Sequence, residues 1–554
     1  MKKALLSLLV VFMMIAVQAQ DKHKITIKIN NLDPKVDTSC VLASYYGEKP
    51  YIKDSLDIAE DGTIIVEGDS LLDGGLYMIV INPENYFEFV VSDQEFKLET
   101  SKPNYNSAMK VTGSIENDVY YEYIKTTSSK RKEVKALQDQ IKAFKAGIES
   151  RGQYILGFNG DTIKYNEIQE IDPKFIKYTI VSGKWLKIKK AEVKEYIGES
   201  GNLYTADFKA GDKLANFTYT KLTAEETQAK IKAIDKEVET YMKNLVKKHK
   251  DKLFPTMLLA VKDPEMPKEL ADSNAFAYYK RHYFDNLNFA DGRLVNTPVF
   301  QQRIDGYFKR CVIPIPDSIM VECDYVLKKA AANEALFKFT LAHLLNKYAN
   351  NKIMCMDAVY VYLVDNYYSK GQATWMDHNQ LFKIINQANT LRPTLCGKIA
   401  PDLDMLDPIG NPQRLHDIKS DYTWILFWDP DCGHCKKSMP KFVKYYNEVT
   451  KEGHDVKVFS ICTEIELDKW RKFVNEKGIS DWINVADSTL MRVNFRELYD
   501  IKSTPKLFIL DKNKKIIGKG IGAEQLPEFM DRQLGRKSTS IEEKHENDHK
   551  GHTD

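Results

Sequence analysis

Two cysteines, Cys432 and Cys435, stand two residues apart in the stretch WDPDCGHCKK, residues 428–437. Such a pair is open to three chemistries: metal ligation, a locked turn, or electron exchange with other thiols. A structural zinc site asks for four ligands, commonly two such pairs. This chain has one pair, and Cys462 and His454 would have to complete the set from elsewhere, so no metal or other cofactor is expected. The apolar run WILFW directly before the pair reads as a buried strand, and the residues after it as a helix. Cys432 then lies where a turn opens a helix, beside unpaired backbone N–H groups and the positive end of the helix dipole. Both favour the thiolate, the nucleophile of disulfide exchange. Cys435, one turn later, is placed to resolve a mixed disulfide. Gly433 lets a partner approach, Trp428 flanks the pair as a second partner-facing residue, and His434 can carry positive charge near the sulfur. Lys436 and Lys437 read first as exposed helix residues.

The elements that hold such a pair follow it. VKVFSI is a second buried strand, IELDKWRKFVNEKG a helix stopped by Gly478, KLFIL-DKNK-KIIGKG a hairpin, and AEQLPEFMDRQL a last helix. Some seventy residues after the cysteines, Thr504-Pro505 stands directly before the KLFIL strand. A cis proline there sits in a turn facing the cysteines, and the backbone before it can pair with an extended substrate chain.

With these residues in place, the segment from about Cys396 to Leu534 resembles the thioredoxin family, most closely its TlpA-like branch of exported thiol–disulfide oxidoreductases. GKIAPDLDMLD at the entry, WILFWDPDCGHCKKSMP at the pair and STPKLFILDKNKKIIGKG at the proline carry the resemblance, over about a quarter of the chain. It implies a thioredoxin fold, Cys432 as nucleophile, Cys435 as resolving thiol, Pro505 as the cis proline, and a redox-active Cys432–Cys435 disulfide. The CGHC tetrapeptide also matches the protein disulfide isomerase motif, which points to an oxidant or isomerase, whereas the TlpA-like framework points to a reductant. Three departures stand out. Many relatives have Trp where this chain has Asp431, whose carboxylate should oppose the Cys432 thiolate. The acids some relatives carry six residues before or after the first cysteine are Leu426 and Ser438 here, leaving Glu464 as a weak substitute to take the Cys435 proton.

The chain has 554 residues, too many for one core. Its 80 basic and 78 acidic side chains leave a net charge of +2, which gives no reason to expect nucleic acid or an anionic membrane as partner. Residues 1–19 have the layout of a cleaved signal peptide, with two lysines, an apolar run too short to span a bilayer, and a small-residue cleavage site. That places the mature protein in the periplasm, with a membrane-anchored form as the rival reading. Residues 20–115 read as short strands of an antiparallel β-sandwich, with Asp61-Gly62 as a hairpin turn. Residues 116–390 read as a mainly helical middle region with an insertion at 151–220 and a Thr223–Glu226 capping box before a helix toward His249. Residues 391–537 form the thioredoxin-like domain and 538–554 a disordered charged tail. The remainder of the chain, before the thioredoxin-like segment, more weakly resembles multidomain exported thioredoxin-family proteins of Bacteroidetes-type bacteria, which carry a β-rich N-terminal and a helical middle domain. Of the eight cysteines, Cys40, Cys311, Cys323, Cys355, Cys396 and Cys462 have no diagnostic spacing and read as buried thiols, with a bridge such as Cys311–Cys323 left open.

The function expected is thiol–disulfide exchange with protein cysteines, coupled to a membrane electron donor or oxidant. The rival is a binding or scaffold protein that uses the domain for docking. A peroxidase is set aside because its reactive cysteine sits in a different local motif.

Overall fold

The computed structural model describes residues 22–149, 224–267, 269–463, 466–486 and 494–536, with four short strands between Tyr178 and Thr205. The expected leader, the charged tail, most of 151–220, the Thr223 cap and Glu464 lie outside the described residues. Within 151–220, the pieces around KYTIV and KWLKI do pair, Tyr178–Val181 running antiparallel to Trp185–Ile188. The described residues up to Arg303 form one compact unit and those from Ile304 a second, so the helical stretch is shared between them.

The first unit begins, among the described residues, with eight strands before its long helices: β1 (His23–Asn30), β2 (Ser39–Tyr46), β3 (Lys49–Asp57), β4 (Thr63–Gly68), β5 (Gly75–Asn82), β6 (Asn85–Val91), β7 (Glu95–Ser101) and β8 (Lys110–Thr112). They make two four-stranded sheets, ordered β4-β1-β7-β8 and β3-β2-β5-β6. The alternation in KITIKIN buries Ile25, Ile27 and Ile29, and Phe89 of one sheet packs on Phe96 of the other with ring centroids 6.1 Å apart. The sandwich is antiparallel as expected, except that β1 and β7 run parallel. The Asp61-Gly62 turn differs from its reading as a hairpin. It hands the chain from one sheet to the other, since β3 pairs with β2 and β4 with β1. Gly62 is required there: φ is +84°, and an added Cβ would stand 2.2 Å from the Ile29 carbonyl oxygen.

Two long helices follow, α1 (Ile115–Glu149) and α2 (Ala224–Lys248). Two buried polar residues at the start of α1 settle backbone groups elsewhere. The Asn117 side chain bonds both the N–H and the carbonyl of Val90 at 2.8 Å, sealing the end of the edge strand β6. The Glu116 carboxylate accepts the N–H groups of Leu253 and Phe254 at 3.1 and 2.7 Å, at the start of the helix Leu253–Ala260.

The second unit opens on helices α3 (Pro316–Ala330), α4 (Glu334–Ala349), α5 (Asp357–Leu363) and α6 (His378–Leu391), the last started by an Asp377–Gln380 capping box. A seven-stranded sheet follows: β9 (Asp404–Leu406), β10 (Pro412–Arg414), β11 (Tyr422–Trp428), β12 (Val456–Cys462), β13 (Ile483–Ala486), β14 (Lys506–Asp511) and β15 (Ile516–Lys519), ordered β10-β9-β13-β12-β11-β14-β15. Strand β11 is central, parallel to β12 and antiparallel to β14. It is buried on both faces, which is why its sequence is an unbroken apolar run. Trp424, Leu426 and Trp428 pack with helices α7 (Gly433–Lys451), α8 (Leu467–Lys477) and α9 (Leu526–Leu534), while Ile425 and Phe427 pack on Phe495, Tyr499 and Phe508. This is the thioredoxin fold, and the protein is multidomain.

One cysteine expectation is overturned. Cys355 and Cys396, read as thiols, form a disulfide across a Cα separation of 5.6 Å, well within bridging range. The Cys311–Cys323 bridge is not made. Both are buried thiols, as are Cys40 and Cys462.

Candidate functional site

The chain leaves β11 at Trp428 and turns at once. The Asp429 carboxylate accepts the N–H of Asp431 at 2.7 Å, and Cys432 donates its N–H to the Asp429 carbonyl at 3.2 Å. This turn, with its Asp two residues ahead of the N–H it captures, is a local signal that the sequence reading passed over. Cys432 has extended backbone (φ −70°, ψ 117°) and is the N-cap of α7. Its Sγ takes the place of a capping oxygen, accepting the N–H of Cys435 at 3.4 Å. Helix and nucleophile are therefore set by one contact.

The two thiols live in different surroundings. Cys432 is half-buried, and Cys435 is fully buried beside Met439 and Trp428. Burial pushes the Cys432 thiol up, but the backbone N–H of Cys435, the Thr504 side chain, the Cys435 thiol and the backbone N–H of His434 together hold it below its ordinary value. Burial pushes Cys435 up to about 12, against smaller opposing pulls from the Asp429 backbone and Thr504. The Thr504–Pro505 peptide is cis, and the Thr504 carbonyl oxygen lies 3.3 Å from the Cys432 sulfur. Thr504 thus acts in two opposite ways. Its carbonyl accepts the thiol proton, while its side chain favours the thiolate, and the net displacement of Cys432 is downward.

The expected site residues fall into three groups. Cys432, Cys435, Thr504 and Pro505 are brought together as read. Gly433 and His434 are exposed beside them, and an added Cβ at Gly433 would meet nothing within 4 Å. His434 reaches Cys432 through its backbone N–H, where the sequence reading relied on its ring. Trp428 is a correction. Its ring is fully buried, stacked on Phe473 at 4.4 Å, with Nε1 donating to Ser460 Oγ at 2.7 Å, so it supports the site from beneath and cannot touch a partner. The reason is strand alternation: Trp428 shares its face with Trp424 and Leu426, under the helices. The opposition expected from Asp431 is also not among the main influences on Cys432. Its exposed carboxylate is engaged by Lys469 at 2.9 Å. Lys436 and Lys437 are exposed.

Around this core, α6 and the β15 edge border the loop before Pro505. Lys502 Nζ lies 3.2 Å from Gln387 Oε1 and 3.1 Å from Asp500 Oδ1. Lys519 pairs with Asp357, the first residue of α5, and donates to the Thr394 carbonyl at 2.8 Å. Among the described residues, no three His, Cys, Asp or Glu side chains gather to hold a metal ion.

Comparison with known proteins bears on this segment. No curated protein matches the chain. Residues 420–516 match the family described as thioredoxin-like, and residues 23–120 and 221–392 match two families described as domains of unknown function, DUF4369 and DUF5106. Among solved structures, a domain of possible thiol-disulfide isomerase from Cytophaga hutchinsonii is 38% identical, over 26% of this chain and 95% of its own, with a TM-score of 0.24. The thioredoxin domain of a thiol-disulfide oxidoreductase from Bacteroides vulgatus is 26% identical over 25% of this chain and 96% of its own, TM-score 0.23. A thioredoxin-like protein from Bacteroides caccae is 21% identical over 48% of this chain and 96% of its own, TM-score 0.40.

Proposed function

The C-terminal part of this chain belongs to the thioredoxin family, and from that premise we propose that the protein is a thiol–disulfide oxidoreductase acting on protein cysteines through Cys432 and Cys435. The observation that carries the reading is the asymmetry of the pair: a half-buried thiol held below its ordinary value, next to a fully buried one held up to about 12. Exchange needs that difference. In the reducing direction the Cys432 thiolate attacks one sulfur of a partner disulfide. A mixed disulfide forms, and the other partner sulfur leaves as thiolate. Cys435 then gives up its proton and attacks Cys432 Sγ. The partner departs with both cysteines reduced, and Cys432–Cys435 is left as the disulfide. Run backwards, the same steps oxidise a partner.

Thr504 and Pro505 are the docking edge for the partner chain. No N–H of residues 502–504 is hydrogen-bonded to a described residue, and in this reading those groups pair with an extended polypeptide. The expected leader places the protein in the periplasm. No helix of the described residues is long and apolar enough to cross a membrane. The domain limits at 115, 390 and 537 belong to the same reading, with residues 391–537 as the redox domain.

The test is the reduction potential of Cys432–Cys435, from equilibration with glutathione buffers and trapping of thiols. A value near about −270 mV marks a reductant supplied with electrons through the membrane, and one near about −180 mV an oxidant or isomerase. A pair that cannot be cycled ends the oxidoreductase reading in favour of a docking module.

A further inference from the structure

The loop that brings Thr504 to Cys432 is held at its ends. Ile501 donates its N–H to the Arg496 carbonyl at 2.9 Å, and residues 502–504 make no such bond to a described residue. On the far side of Pro505, Lys506 begins β14, and its side chain turns back across the base of the loop. Nζ donates to the Asp500 carbonyl oxygen at 2.7 Å. Asp500 is where the chain enters left-handed backbone, φ +51°, a conformation that a non-glycine residue keeps when its surroundings enforce it. A single ammonium therefore joins the first residue of the loop to the residue after the proline.

Lys506 is no solvated surface lysine. It is half-buried, and burial holds its ammonium below the ordinary lysine value. Lys519 and Lys502 push the same way, while Asp500 and Asp357 offset part of the effect. A cation kept in such a place needs a partner that repays its desolvation, and the Asp500 carbonyl is that partner.

We infer that Lys506 is a positioning residue for the exchange reaction: its grip on Asp500 fixes the 500–505 loop so that Thr504 meets the Cys432 sulfur and Pro505 stays on the docking edge. The inference rests on the proposed function for the meaning of that placement. Without the grip, both Thr504 contacts with the sulfur are released, and the side-chain one, which is the Thr504 influence that lowers Cys432, sets the direction of the change. The other groups facing Cys432 stay: the N–H groups of Cys435 and His434, the Cys435 thiol, and Asp431 engaged by Lys469. The loss of thiolate is therefore partial.

The experiment is the pH profile of Cys432 alkylation by iodoacetamide in the full reduced chain, followed by mass spectrometry of the Cys432 peptide. Wild type, Lys506→Met and Lys506→Arg are compared. Lys506→Met should move the midpoint to higher pH and slow alkylation at pH 7 about three- to tenfold, the net worth of one ordinary hydrogen bond. Lys506→Arg, which keeps charge and donor, should restore most of the rate. An unmoved midpoint in Lys506→Met, or an arginine variant that behaves like methionine, overturns the inference. If Lys506→Met gives no cooperative melt, Lys506→Gln takes its place under the same outcomes. The readout is independent of turnover. A chain that shows the shift but never exchanges disulfides would sink the proposed function and leave the role of Lys506 standing.

Discussion

The second unit holds two cysteine pairs that differ in every respect that matters for redox chemistry. Cys432 and Cys435 are neighbours within one helical turn, and both are thiols. Cys355 and Cys396 are 41 residues apart and closed as a disulfide. The first pair is placed by local structure: a strand end, an Asp turn and a helix N-terminus. The second is placed by tertiary structure, with the residues before α5 brought to the segment that enters the sheet. In the first pair burial is unequal, which under the proposed function prepares one sulfur to attack and the other to wait. In the second both cysteines are half-exposed, and nothing separates their roles. The comparison teaches that spacing alone does not make a redox pair. Unequal surroundings do.

The sharpest way to break this contrast is at the nucleophile. Cys432→Ser should abolish disulfide exchange in an insulin-reduction or thiol-oxidation assay, while Cys435→Ser should accumulate mixed disulfides visible by mass spectrometry. Exchange of undiminished rate in Cys432→Ser would transfer the chemistry to the other pair. Next comes stability. Replacing both Cys355 and Cys396 by serine opens the loop that their bond closes, a loss of about 4 kcal/mol by chain entropy, read as a lower denaturant midpoint. That variant should still exchange disulfides. Trp428→Ala should cost about 3–5 kcal/mol, because the ring is fully buried under the helices.

A finer test concerns pH. The Cys432 thiol lies below its ordinary value, so its thiolate persists as pH falls through the ordinary thiol range and is lost only below the folded value. Its alkylation should titrate below that of a free thiol, while Cys435 stays inert until far more alkaline pH. Thr504→Val should move the Cys432 midpoint upward. The smallest effects belong to His434→Ala and Asp431→Asn, since His434 acts through its backbone and Asp431 is held by Lys469. A large shift from either would return the ring charge or the carboxylate to the account.

The legibility of these features in the sequence follows their range. The strand, the helix cap, the cysteines and the Thr-Pro step are written in consecutive residues, and each was read with its place in the fold. Trp428 was misread because alternation decides its face, and a run buried on both sides gives no polar residue to mark which face is which. The Asp61-Gly62 turn was read correctly as a turn and wrongly as a hairpin, because strand partners are chosen at long range. Cys355 and Cys396 carried no signal at all, since their meeting depends on how α5, α6 and the sheet edge pack. Lys506 was in plain view after Pro505, yet only the return of its side chain to Asp500 gives it a role.

The bond between Cys355 and Cys396 also makes the chain locally a ring. Helices α5 and α6 lie on the covalent circle it closes. A single cut by a protease within that circle leaves the polypeptide in one piece, and the break becomes visible only on a reducing gel. Wherever thiols stay oxidised, the connection from the helices into the thioredoxin-like domain is therefore carried twice, once by the peptide chain and once by sulfur.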